Sequence, residues 1–269
     1  MLVRSLAAGV LLGIAACTAT LAADCGGGTV CSIRGGDYRI ELPADGDVRG
    51  AYVFFHGYKS SAALQIGQRG LVDTTLAHHL AFVAVDGLAG RWSFPGNPQQ
   101  GRDDQAFVAD VLTDLETRFG ITGPSTVIGG FSIGASMAWY TACLQGDKVA
   151  GLVTFSGVFW NPLPQAGDCT RNLPPMVHFH GTADRTFPLS GRAIGSRLHQ
   201  GDTFRSIAIL REQARCDIEQ PRTATLDGLA CDEAPGCVRG ASLLCIHDGG
   251  HVVRSGDVDA GLSAVGFPR

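Results

Sequence analysis

Basic charge is the first thing this chain lacks. Its 269 residues hold 21 Lys and Arg against 25 Asp and Glu, a formal net charge of −4, with no basic patch. Nothing in it supplies the counter-charge that nucleic acid or an anionic membrane surface would require. No C-x-x-C pair occurs, which argues against a structural zinc site. Neither the apolar run within the first 16 residues nor any later one is long enough to cross a bilayer. Internal repeats, low-complexity tracts and a linker-like stretch are also missing, so nothing suggests a solenoid or two tethered domains.

The start of the chain is its one targeting-like segment. Arg4 precedes an apolar run over residues 6–16, and small residues follow. This pattern predicts a secretory signal peptide over residues 1–23, which leaves one domain over 24–269. Two processing routes stay open. Cleavage near Ala22 or Ala23 gives a secreted or periplasmic protein. Ile14-Ala15-Ala16-Cys17 resembles a lipobox, and acylation of Cys17 gives an outer-membrane lipoprotein with a lipid anchor. Of nine cysteines, Cys17 falls in this segment. The other eight are an even set, and in an exported chain they suggest up to four disulfides. Cys25 with Cys31 and Cys143 with Cys169 are candidate pairs. Cys216, Cys231, Cys237 and Cys245 would staple the C-terminal region in a pairing left open.

Hydrophobic periodicity predicts strands over 37–42, 51–55, 80–85, 125–129, 149–155, 176–179 and 242–246. Helices are expected before His78, over 103–119 with Asp103 or Asp104 as cap, over 135–142 and over 190–199. Buried strands alternating with helices define an α/β architecture: a mostly parallel central sheet covered on both faces, with its site at the carboxyl ends of the strands.

Gly130-Phe131-Ser132-Ile133-Gly134 lies between a strand and a helix in this pattern. A G-x-S-x-G turn there lifts the serine above the sheet, and glycines two residues either side allow strand and helix to approach. Ser132 is the candidate nucleophile of an α/β-hydrolase fold. Such folds present Ser, then an acid, then His along the chain. Asp184, in His180-Gly181-Thr182-Ala183-Asp184, follows a strand and is the candidate acid; Asp86, Asp217 and Asp248 are rivals. His251, in Asp248-Gly249-Gly250-His251, is the candidate base, with His247 its near competitor. His178 and His180 form a pair two residues apart, but no carboxylate cluster completes a metal site.

An oxyanion hole needs two backbone N–H groups. Ile133 supplies one and Tyr58, after His56-Gly57, the other; His56 braces that loop. Trp92 and Phe94, in the 87–101 loop, and Trp160 are candidates for an aromatic substrate wall. The chemistry of such a site is ester hydrolysis through an acyl-enzyme, with no metal or organic cofactor required.

With these pieces placed, the chain resembles the secreted polyhydroxybutyrate depolymerase and feruloyl esterase group of α/β-hydrolases, the LpqC-like esterases. The resemblance rests on the strand before Pro43, His56-Gly57 with Ser60-Ser61-Ala62, Asp103-Asp104 before Phe107, and the Ser132, Asp184 and His251 motifs. Cys216 after a helix adds to it. It implies hydrolysis of hydroxyalkanoate oligomers or polymers, or of hydroxycinnamoyl esters. Relatives often carry Trp and Pro after the histidine, whereas Val252-Val253-Arg254 stands here. No attached substrate-binding domain is recognisable, which favours soluble or oligomeric esters. Two other readings compete: a serine peptidase similar to prolyl oligopeptidases, and a non-catalytic polymer-binding protein on a hydrolase scaffold.

Overall fold

The computed structural model describes residues 25–165 and 167–269. The signal-peptide segment 1–23 and Cys17 lie outside the described residues. In chain order the elements are β1 (Cys31–Ile33), β2 (Gly36–Glu41), β3 (Gly50–Phe55), α1 (Ala62–Ile66), α2 (Arg69–Ala77), β4 (Leu80–Val85), α3 (Asp104–Phe119), β5 (Thr126–Phe131) and α4 (Ile133–Gln145). There follow β6 (Gly151–Phe155), β7 (Met176–Gly181), β8 (Ala193–Ile194), β9 (Leu198–His199), α5 (Thr203–Gln213), β10 (Arg222–Leu226), β11 (Leu229–Cys237), β12 (Gly240–His247) and α6 (Ser255–Ala264).

Ten strands form one sheet in the order β1-β2-β4-β3-β5-β6-β7-β12-β11-β10. The six from β4 to β12 run parallel to one another. Antiparallel pairs finish both edges. Strand alternation explains why the middle must be covered twice. Ala51, Val53 and Phe55 of β3 pack into one core with α3, α4 and α5. Tyr52 and Phe54 of the same strand pack into a second core with α2 and α6. With both faces buried, the strand reads as a continuous apolar run.

Local chemistry sets the helix ends. Asp103 caps α3 by accepting from the Gln105 and Ala106 amides at 3.0 and 3.1 Å. Asp104 instead turns inward, accepting from the Ser93 amide and from Arg102 Nε, both at 2.5 Å. Burial pushes its carboxyl up. The helix expected over 190–199 does not form. That segment makes the short β8–β9 hairpin, with Gly191 and Gly195 at φ 69° and 60°, left-handed values that interrupt a helix. The next helix begins at Thr203, capped by Asp202.

The eight described cysteines pair as Cys25–Cys31, Cys143–Cys169, Cys216–Cys237 and Cys231–Cys245. The last joins the registered partners of β11 and β12 across a separation of 14 residues. It therefore ties the edge hairpin to the strand that precedes His251. Replacing both of these cysteines with alanine is expected to cost about 3 kcal/mol of stability, read as a lower urea midpoint against the oxidised wild type.

Candidate active site

Ser132 is lifted off the end of β5 with φ 59° and ψ −126°, a conformation that L-residues rarely adopt. Its amide donates to Phe155 O at 3.0 Å and its carbonyl accepts from the Ser136 amide at 3.1 Å, so the turn runs straight into α4. The hydroxyl does not cap that helix. A Cβ on Gly134 would collide with the carbonyl oxygens of Phe55 and His56, which is why the second motif glycine is needed.

Asp184 and His251 sit on adjoining loops after β7 and β12. The parallel pairing of those strands brings the loops together, and backbone bonds knit them. Thr182 N–H donates to His247 O at 2.8 Å and Ala183 N–H to Gly249 O at 3.0 Å. Gly181 lies so close to the Gly249 carbonyl that any side chain there would collide with it. His251 Nδ1 lies 2.7 Å from Asp184 Oδ2. An ionised carboxylate only accepts, so Nδ1 carries the proton and Nε2 is free to take another. The other carboxylate oxygen accepts from the Thr186 and Phe187 amides, both at 2.8 Å. Asp184 is only 4 % exposed. Burial pushes its carboxyl up, but the bonds from His251 and the Phe187 amide outweigh burial and hold it below its ordinary range. The His251 ring packs 4.4 Å from that of Phe131, the neighbour of Ser132.

Two of the rival acids and the rival histidine are engaged elsewhere. Asp86 accepts from the Ala62 amide and Asp217 from the Glu219 and Gln220 amides. His247 Nδ1 accepts from the Gly249 amide inside its own turn. His56 donates from Nδ1 to Gly57 O and accepts at Nε2 from the Gly87 amide, tying the loop after β3 to the loop after β4.

Beside Ser132 opens a cavity of about 380 Å³. Tyr58, Ile133, Trp160, Ile194 and Leu198 line it together with the serine. Gly57, just before Tyr58, faces Ser132, whose Cβ would lie 3.7 Å from any Cβ added at that glycine, and Ile133 opens the first turn of α4. The N–H groups of a first helical turn have no partner within the helix and carry positive partial charge. Two expected wall residues are corrected. Trp92 is fully buried, T-stacked on Phe55, and donates from Nε1 to His56 O at 2.9 Å. Phe94 is 3 % exposed and stacks on Tyr140 at 4.9 Å. Both serve loop packing, and neither borders the cavity. Arg91, from the same loop, borders it instead, as do Thr186, Arg192 and Gln200. Sequence reasoning did not single these out. The usable signal was their position in loops at the carboxyl ends of β4 and β7, because residue type favoured the aromatics.

A buried relay runs beneath the acid. His180 Nε2 lies 2.7 Å from Phe187 O and 3.5 Å from Asp184 Oδ2. The carbonyl can only accept, so Nε2 bears hydrogen and Nδ1 is bare. Nδ1 then accepts from His178 Nε2 at 3.0 Å, and His178 Nδ1 accepts from Thr154 Oγ1 at 2.9 Å. Thr154 in turn accepts from Trp139 Nε1 at 3.0 Å. One direction of donation satisfies the whole chain and requires both imidazoles to be neutral. Burial first of all pushes both rings below their ordinary range, as it does His56 and His247. A lowered pKa means that the unfolded chain takes up protons first as pH falls. Stability is therefore full above about pH 6.5 and is lost below it, by about 1.4 kcal/mol per pH unit for each ring that stays neutral. Urea titrations between about pH 7.5 and 5.5 are expected to show this decline; a flat profile would contradict the neutral relay.

Strand order, the elbow at Ser132 and the acid and histidine on adjoining loops define an α/β-hydrolase fold. Residues 98–201 match the phospholipase/carboxylesterase family, a span that includes Ser132 and Asp184 and ends before His251. The chain is 32% identical over 121 residues to lysophospholipase-like protein 1 of Mus musculus, covering 41% of this chain and 49% of that protein. It is 24% identical over 173 residues to a probable feruloyl esterase C of Aspergillus terreus, covering 63% and 56%. These matches span about half the length of the curated relatives. Among solved structures, an acetyl xylan esterase from Aspergillus awamori superposes with a TM-score of 0.62 at 16% identity, covering 86% of this chain and 94% of that one. Esterase PE8 gives 0.53 at 19%, covering 85% and 95%. At such identities the likeness establishes the fold.

Proposed function

We propose that this chain is an exported serine esterase acting on carboxylic esters, in the range of feruloyl esterases and polyhydroxybutyrate depolymerases. Ser132 Oγ attacks the ester carbonyl carbon while His251 Nε2 takes its proton. Asp184 holds the ring and offsets the charge that develops on it. The amides of Ile133 and Tyr58 receive the oxyanion. The C–O bond to the alcohol breaks, the alcohol leaves with the proton from His251, and water repeats the route to free the acid and Ser132. The observation that carries this reading is the 2.7 Å bond between buried Asp184 and His251, beside a serine held at positive φ. The match to a probable feruloyl esterase over 63% of the chain supports the ester class. Four disulfides support export to an oxidising compartment.

The test is hydrolysis of methyl ferulate and of 3-hydroxybutyrate oligomers by the oxidised protein, before and after treatment with a fluorophosphonate. Turnover of either ester that is lost as the label reaches Ser132 supports the reading. Release of ferulate alone selects the cell-wall branch, and cleavage of the oligomers alone selects the polyester branch. Cleavage of prolyl peptides without ester turnover would favour a peptidase. No turnover and no labelling would leave a binding protein on this scaffold.

A further inference from the structure

The cavity beside Ser132 is positively charged in a chain whose net charge is −4. Arg91 enters it from the loop after β4 and Arg192 from the segment just before β8. No Asp or Glu is among the residues that line it. Both arginines are exposed, and neither pairs with a carboxylate among the described residues. Each is nevertheless held in place. Arg192 Nε donates to the carbonyl of Thr186 at 2.8 Å, two residues after Asp184. The Arg91 guanidinium lies 5.5 Å from the centre of the Tyr58 ring, and its Nη2 is 3.4 Å from the Tyr58 hydroxyl. A guanidinium has five N–H donors in a fixed fork, so these anchors leave several donors unused. The rest of the lining is uncharged, with apolar, hydroxyl and amide side chains, which suits a short carbon chain ending in an anion.

We propose that this cavity selects esters that carry a free carboxylate, which Arg91 and Arg192 grip while Ser132 attacks the ester. The inference rests on the esterase reading and names the substrate class of that same site. Two arginines with no acid in the lining of this cavity make an anion the complementary ligand, and the guanidinium fork matches a carboxylate in two parallel bonds. A neutral ester of the same shape would leave both charges unmatched.

Matched pairs of substrates test it. The linear 3-hydroxybutyrate dimer, as free acid or as its primary amide, places the charge on the alcohol side of the ester. Monomethyl glutarate, with methyl glutaramate as its neutral partner, places it on the acyl side. In at least one pair, kcat/KM for the acid is expected to exceed that for the amide by about tenfold or more, mostly through KM. Arg91→Gln and Arg192→Gln should each reduce that ratio several-fold, and the double variant should bring it to about one. Raising the salt from about 0.02 M to about 0.5 M should shrink the wild-type ratio. Equal or better turnover of the amides in both pairs overturns the inference and leaves the esterase reading standing. A preference that survives the double variant also overturns it. Failure to hydrolyse any ester, charged or neutral, overturns the esterase reading itself.

Discussion

Replacing Ser132 with alanine is expected to lower kcat for ester hydrolysis by about a million-fold, while the thermal midpoint stays within a few degrees of wild type. The size follows from what is removed. Without Oγ no acyl-enzyme can form, and His251 has no proton to take, so two parts of the machinery fall silent together. The fold should not notice the change. The hydroxyl does not cap α4, and the turn is held by the Ser132 amide and carbonyl, which alanine keeps. Alanine also tolerates φ 59° about as poorly as serine does, so the strain is unchanged. The residual rate should come from the oxyanion amides and substrate binding alone, which leave some catalysis over water when a nucleophile is lost. A pre-steady-state burst with a p-nitrophenyl ester should vanish in the same variant. Retention of kcat within about tenfold of wild type would remove the serine mechanism.

The parallel middle of the sheet was legible because its strands are buried on both faces and therefore read as unbroken apolar runs. The expected strand at 80–85 coincides with β4, and the other parallel strands differ at their ends by a few residues. The expected helix at 103–119 differs from α3 by its cap alone. At the antiparallel edges the expected strand at 37–42 falls on β2, whereas β1, β10 and β11 were not legible. β10 turns only Ala224 and Leu226 toward the core, both half-buried, which is too short an apolar face to mark it, and β11 carries Pro235 and Gly236. At the site, chain order and strand ends pointed to Ser132, Asp184 and His251, and the structure sets Asp184 and His251 2.7 Å apart. The substrate wall was harder, because residue type says which side chains are large and not which way a loop presents them. Trp92 and Phe94 turn inward, while Arg91 beside them borders the cavity. The relay from Trp139 to His180 was also out of reach. It joins residues up to 41 positions apart through neighbouring strands, and only strand register reveals it.

Asp184→Asn is the second variant with a large expected effect, about a ten-thousand-fold loss of kcat, and its cause is a misplaced proton rather than a misplaced loop. The side-chain oxygen that accepts from the Thr186 and Phe187 amides can remain, so the turn keeps its two bonds. The amide nitrogen then faces His251 Nδ1, where a carboxylate oxygen stood at 2.7 Å. It donates, so Nδ1 must be bare and the ring's proton moves to Nε2, the atom that has to accept from Ser132. Asp184→Ala separates this tautomer effect from support of the loop. It removes the two backbone bonds as well, and should lose about 1–3 kcal/mol of stability in addition to activity. Nuclear magnetic resonance of the ring nitrogens would report the change directly, with hydrogen on Nδ1 in wild type and on Nε2 in Asp184→Asn. If the asparagine variant kept its rate within about tenfold, the ring would have to be oriented by another acceptor. His180 could not provide it, because its Nε2 is already committed as a donor to Phe187 O, only 3.5 Å from Asp184 Oδ2. The orientation of His251 therefore rests on Asp184 among the described groups, and this substitution puts the most weight on that single bond.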